Sequence, residues 1–220
     1  MLLRRGVAEA LGTLFLVAIV VGSGIAAQRL SPGDVGIELL ENSIATGAGL
    51  AVLIIVFGPI SGAHFNPVVT LMAVVDRSID ASIAFVHVGA QVAGAILGAV
   101  GADLMFSLPA ATLSTHTRAS GALWFSEGIA TFGLLIVILS LPRAASKAYA
   151  PFAVGAYIAA AYWFTSSTSF ANPAVTIGRM FTDTFAGIRP SSAPAFVAAQ
   201  LVGGALAIAV GRFLFAPEPA

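Results

Sequence analysis

Two Asn-Pro pairs, Asn66-Pro67 and Asn172-Pro173, are the residues best placed to do chemistry, because each sets a polar amide inside strongly apolar sequence. That chemistry is hydrogen bonding rather than bond making. No metal-ligand cluster or nucleophile–base pair occurs at a plausible spacing, and the chain has no cysteine, so neither an enzyme, a cofactor nor a metal is expected. Asn is a preferred N-cap and Pro is tolerated at the first helical position, so each pair reads as a helix start. Further ionisable groups sit in apolar surroundings at Glu9, His64, His87, Asp103, Glu127 and Arg179. Such groups are functional candidates when the surroundings are a membrane.

The elements that must hold these residues follow from composition. Of 220 residues 58% are hydrophobic and only 9% charged, and mean hydropathy is +0.98, which puts the chain in a lipid bilayer. Ten basic and ten acidic residues cancel, leaving no basic field for nucleic acid. A span needs about 20 apolar residues. Six stretches meet or approach that length, at about 6–27, 38–58, 82–106, 121–141, 149–166 and 192–215. The first is too long for a signal-peptide core and reads as a retained span. Runs at about 67–76 and 173–182 cover only half the core and read as half-helices, each opening at an Asn-Pro pair.

Self-comparison links the two halves. Glu9-Ala10-Leu11-Gly12-Thr13 resembles Glu127-Gly128-Ile129-Ala130-Thr131, and Ala90-Gln91-Val92-Ala93-Gly94 resembles Ala199-Gln200-Leu201-Val202-Gly203. With the Asn-Pro pairs between them, three landmarks recur in order at offsets of 118, 106 and 109. The chain therefore reads as one transmembrane domain, 1–220, with repeats of about 1–110 and 118–220. Three spans per repeat force the second to insert inverted. Arg4, Arg5, Arg77, Arg143, Lys147 and Arg212 fall on one side of this topology and Arg29, Arg118 and Arg189 on the other, so both termini are predicted cytoplasmic. Gly89, Gly94, Gly98, Gly101, Gly203, Gly204 and Gly211 recur at helical spacing and are predicted to let span backbones approach.

On these residues the chain resembles the aquaporin, or major intrinsic protein, family. The resemblance rests on six spans, two inverted repeats, the repeat-opening Glu9 and Glu127, Ser61-Gly62-Ala63-His64-Phe65-Asn66-Pro67 and Asn172-Pro173-Ala174. It implies an all-α membrane fold of six transmembrane helices and two half-helices, with Asn66, Pro67, Val68, Asn172, Pro173 and Ala174 at the pore centre. Gly62, Ala63, His64, Thr168, Phe170 and Ala171 would line the approaches, and Glu9 and Glu127 would buttress them. Physically, two half-helices meeting by their N-termini focus positive potential at mid-membrane, which repels cations and hydronium while the Asn amides serve neutral polar solutes. His64 reads as a neutral lining residue in preference to a titrating gate.

Two departures matter. Where family members usually carry Arg, one residue after the second Asn-Pro-Ala, this chain has Val175, so the constriction loses a fixed cation and about five donors. The other constriction positions carry over to Thr46, Ser169 and, in the fifth span, Tyr162 with Ala160 as rival. Arg179 lies four residues beyond Val175, near the outer mouth, and is expected to pair with Asp183 in preference to replacing the missing cation. Val68 stands where the first triplet would end in Ala.

The run Ser-Phe-Ala-Asn-Pro-Ala-Val resembles bacterial members associated with metalloid hydroxides such as arsenous acid. The expected function is a passive channel for small uncharged solutes, namely arsenous acid, glycerol and other polyols, with water. It would sit in the bacterial inner or plasma membrane as a multi-pass protein and, by resemblance, as a homotetramer. The alternatives are a strict water channel and an ion-coupled secondary transporter; the latter lacks coupling residues beside the Asn-Pro sites.

Overall fold

The computed structural model describes residues 1–141 and 147–215, and every regular element among them is helical. Four helices make the first half: α1 (Leu2–Leu30), α2 (Val35–Ser61), the short α3 (Pro67–Val75) and α4 (Ala81–Met105). Four more follow: α5 (Gly121–Ser140), α6 (Ala150–Phe164), the short α7 (Pro173–Gly178) and α8 (Ala193–Leu214). Arg143 and the side chain of Lys147, both counted in the charge bias, lie outside the described residues.

Five of these helices are long and apolar enough to cross a membrane: α1, α2, α4, α5 and α8. The stretch expected at 149–166 forms a helix of 15 residues, about 22 Å long and below the ~30 Å of a hydrocarbon core. It is short because Thr165 turns extended, with φ −111° and ψ 138°, and the chain unwinds toward Asn172 from there. The two half-helices start where the Asn-Pro pairs place them. Asn66 caps α3 and Asn172 caps α7, each in extended conformation with Pro in the first turn. After six residues α7 tightens into a 3-10 turn over Arg179–Phe181.

Burial is inverted relative to a water-soluble protein. Glu9, Thr13, Gln91, Glu127, Thr131 and Gln200 are fully buried, whereas Phe85 and Phe213 are 84% and 83% exposed. An apolar exterior around a polar interior is the arrangement a bilayer requires, and the chain is a multi-pass membrane protein.

Helix pairs α1–α4, α1–α2, α5–α8 and α2–α6 make the main interfaces, and small residues set their closeness. A Cβ on Gly94 or Gly98 would collide with the carbonyl of Ala10 or Leu14, and one on Gly203 with that of Gly128. Gly204 and Gly211 leave room for Val68 and Leu139. Gly89 and Gly101 depart from the expectation of packing, since a Cβ at either would meet nothing within 4 Å. Helical spacing alone does not distinguish a face turned to a neighbour from one turned outward.

This difference is testable by thermal unfolding in detergent. Gly98→Ala should cost about 1–3 kcal/mol by overpacking a backbone contact, whereas Gly101→Ala should stay within about 0.5 kcal/mol of the parent. Equal effects at the two positions would contradict the close-approach account.

Candidate functional site

The site is built on a problem of backbone chemistry. Between α2 and α3, and again between α6 and α7, the chain runs as irregular backbone deep among the helices, where its N–H groups need acceptors. Glu9 of α1 supplies them on one side. Its Oε1 accepts from Ser61 Oγ at 2.6 Å and from the His64 amide at 3.0 Å, and its Oε2 accepts from the Phe65 amide and Gln91 Nε2, both at 2.8 Å. Glu127 of α5 repeats the device: its oxygens accept from the amides of Phe170 and Ala171, both at 2.9 Å, and from Gln200 Nε2 at 2.7 Å. Each Gln also donates to a half-helix threonine at 2.9 Å, Gln91 to Thr70 and Gln200 to Thr176.

The approach segments share their backbone conformation as well. Ala63, Phe65, Thr168, Ser169 and Ala171 all adopt positive φ, between 47° and 62°, as does Gly62 at 96°. Five non-glycine residues in the left-handed region are strained, and such strain persists only where the surroundings over-determine it. The carboxylate bonds and the packing of Phe65 into the space above Gly12 provide that determination.

The half-helix starts meet. Asn66 Nδ2 donates to the Ala171 carbonyl at 2.8 Å, and Asn172 Nδ2 donates to the Phe65 carbonyl at 2.7 Å, so each asparagine ties down the residue before the other. Their Oδ1 atoms cap the helices, accepting from Val68 N in α3 and from Ala174 N and Val175 N in α7. Two helix N-termini therefore face one another, each with its positive end toward the junction.

A cavity of about 300 Å³ runs past this junction. Asn66, Asn172, Gly62, Ala63, His64, Phe170 and Ala171 border it, as do Thr46, Tyr162, Ser169 and Val175. The four positions expected at the constriction thus border one cavity. Tyr162 Oη donates to Thr46 Oγ1 at 3.2 Å, while the rival Ala160 is exposed on the other face of α6. Pro67, Pro173, Ala174 and Thr168 do not border the cavity, and Val68 packs toward Gly204 of α8. Asp76 and Ser78 also border the cavity, and Arg212 pairs with Asp76 at 3.6 Å.

Arg179 departs from its expected pairing. Asp183 is held instead by the amide and hydroxyl of Thr115, at 2.8 and 3.0 Å, with His116 at 3.7 Å. The Thr115 amide keeps the Asp183 carboxyl below the usual carboxylate range. Arg179 and Asp183 do not share a helical face, because α-helical geometry stops at Gly178 and Thr182 is already extended. Arg179 turns inward, 3% exposed, and borders the cavity beside Val175. Its Nε donates to the Ala186 carbonyl, and its guanidinium lies over the Phe170 ring with Cζ 3.4 Å from the centroid. Arg118 approaches the same ring at 5.2 Å and donates to the carbonyls of Gly187 and Phe185. His87, one of the ionisable candidates, is fully buried with its ring 5.2 Å from that of His64, and Asp103 accepts from Thr182 Oγ1 at 2.8 Å. Among the described residues no group of three His, Asp or Glu side chains could hold a metal.

A helical membrane protein in which two half-helices meet by their N-termini beside an internal cavity defines a narrow class. The profile of the family described as Major intrinsic protein matches residues 1–171, and the chain belongs to that family. It is 52% identical to the aquaglyceroporin AqpS of Rhizobium meliloti (strain 1021) over 216 residues, 98% of this chain and 92% of that protein. It is 33% identical to a probable TIP-type aquaporin of Medicago truncatula, over 97% of this chain and 87% of the other. The fold is similar to that of a crystallised aquaglyceroporin from Plasmodium falciparum, with a TM-score of 0.77, 22% identity and coverage of 99% and 98% of the two chains.

The carboxylate anchors are open to test. Glu127→Ala leaves the amides of Phe170 and Ala171 without acceptors, and at about 1–3 kcal/mol for each orphaned group it should lower the melting temperature sharply. Thr112→Ala, an exposed change on a loop, should not. Matching melting temperatures would show that the carboxylate does not hold the segment.

Proposed function

We propose that the protein is a passive channel for small uncharged solutes, with water, glycerol and arsenous acid as the cargo to examine first. The observation that carries this reading is the cavity that passes the facing Asn66 and Asn172 caps and continues past Thr46, Tyr162, Ser169 and Val175. The similarity to aquaglyceroporins supports water and glycerol. Arsenous acid is a neutral triol near neutral pH, of the same hydrogen-bonding type as glycerol, and small side chains at Thr46, Ser169 and Val175 suit a solute bulkier than water.

In this reading Asn66 and Asn172 mark the pore centre, each with its second amide hydrogen free for a passing hydroxyl. Thr46, Tyr162, Ser169 and Val175 form the constriction. Gly62, Ala63, His64, Phe170 and Ala171 line the approaches, and Glu9 and Glu127 are the buttresses. The matched carboxylate, glutamine and asparagine bonds support inverted repeats of about 1–110 and 118–220. Both termini face the cytoplasm of a cell whose plasma membrane houses the protein, and four copies assemble with one pore each. A transporter would need free coupling groups at the break; the asparagines there are uncharged, and Glu9 and Glu127 are already committed to backbone amides and glutamines.

Purified protein in liposomes should speed glycerol and arsenous acid entry over empty vesicles, unaffected by sodium or proton gradients. Accumulation against a concentration difference would overturn the passive reading. Val175→Arg should reduce glycerol and arsenous acid flux about tenfold while reducing water flux less. An unchanged ratio of permeabilities would remove Val175 from the constriction.

A further inference from the structure

A charge buried without a partner is costly, and it persists in a membrane protein where it serves a purpose. Arg179 is such a charge. It is 3% exposed, and among the described residues neither ion pair involves it. Glu127, the buried carboxylate of the same half, is already occupied by two amides and Gln200. The contacts of Arg179 fix it without neutralising it: one donor is spent on the Ala186 carbonyl, and the flat guanidinium is laid on the Phe170 ring. The terminal Nη1 and Nη2 have no acceptor among the described residues, and the residue borders the cavity. Arg118, on the same ring, differs in that its Nε and Nη2 both go to carbonyls.

The cavity wall around Arg179 is suited to a hydroxylated guest. Ser169 Oγ is buried without a partner, Thr46 and Tyr162 border the same cavity with their hydroxyls hydrogen-bonded to each other, and Val175 supplies an apolar surface one turn back along α7. Resting on the channel reading above, we infer that Arg179 is the charged specificity-determining residue of the constriction. Its Nη groups donate to the hydroxyl oxygens of a permeating neutral polyol or metalloid hydroxide, and its charge turns back small organic cations. Phe170 acts as the platform that holds the guanidinium edge toward the solute. The pore is thus not without a fixed cation; the cation reaches the wall from position 179 instead of 175.

The absence of cysteine makes a direct test clean. In liposomes, Arg179→Cys should lose at least fivefold of its glycerol flux on treatment with a small methanethiosulfonate reagent, while the unmodified parent is insensitive. Arg179→Gln should raise methylammonium uptake at least fivefold over the parent, and Arg179→Lys, which keeps the charge, should stay within twofold of it. Monodisperse elution in detergent is the check that each variant is folded, and the thiol arm decides alone if the Gln variant is not. A folded Arg179→Cys protein that the reagent leaves unaffected, or methylammonium uptake by the Gln variant within twofold of the parent, would overturn the assignment. Parent vesicles no more permeable to glycerol than empty ones would overturn the channel reading and this assignment with it.

Discussion

Everything in this molecule depends on satisfying backbone N–H groups at a depth where no water is guaranteed. A continuous helix avoids the problem; a chain that stops at mid-membrane and starts again does not. Glu9 and Glu127 meet it by presenting carboxylates, two acceptors of several bonds each, to the amides of the approach segments. Hydrogen bonds to a charged acceptor are roughly twice as strong as neutral ones. They hold Phe65 and Ala171 in left-handed backbone and thereby aim Asn66 and Asn172 at each other.

From that anchor the chemistry of the centre follows. Each Asn amide has a donor engaged by the opposite segment and a cap engaged by its own helix, so the side chains are rigid. Under the proposed channel function, these rigid donors beside two facing helix N-termini are the site that replaces the hydration of a neutral hydroxyl and hinders the passage of protons. The glycine contacts that draw α1 to α4 and α5 to α8 keep the two carboxylates and the two half-helices in register. Packing at Gly98 or Gly203 is therefore linked to the pore through Glu9 and Glu127, which ride on the same helix pairs.

Much of this was legible in the sequence because it is repeated there. Asn before Pro is a local signal for a helix start, and its recurrence with Glu and Gln landmarks revealed which distant residues share an environment. All six long stretches and both half-helices fall within a few residues of where hydropathy and punctuation place them, the stretch at 149–166 as the shorter helix Ala150–Phe164. The misses share a physical cause. Helical spacing pairs Arg179 with Asp183, but the helix ends one residue before Arg179. Gly89 and Gly101 carry the spacing of packing residues but point to open space. Val68 follows Asn66 as Ala174 follows Asn172, and neither borders the cavity, since the residue two after the cap turns toward α8 or the interior. Periodicity fixes positions along an element; which way a short element faces is decided by tertiary contacts.

Neutral solutes must pass where protons do not, and one measurement addresses both at once. Vesicles carrying the protein and an internal pH dye would be mixed with glycerol under an imposed proton gradient, with volume and dye followed together. Fast glycerol entry with a proton leak equal to that of empty vesicles is the predicted result. A proton flux that rises in proportion to the protein reconstituted would contradict the facing-helix barrier at Asn66 and Asn172.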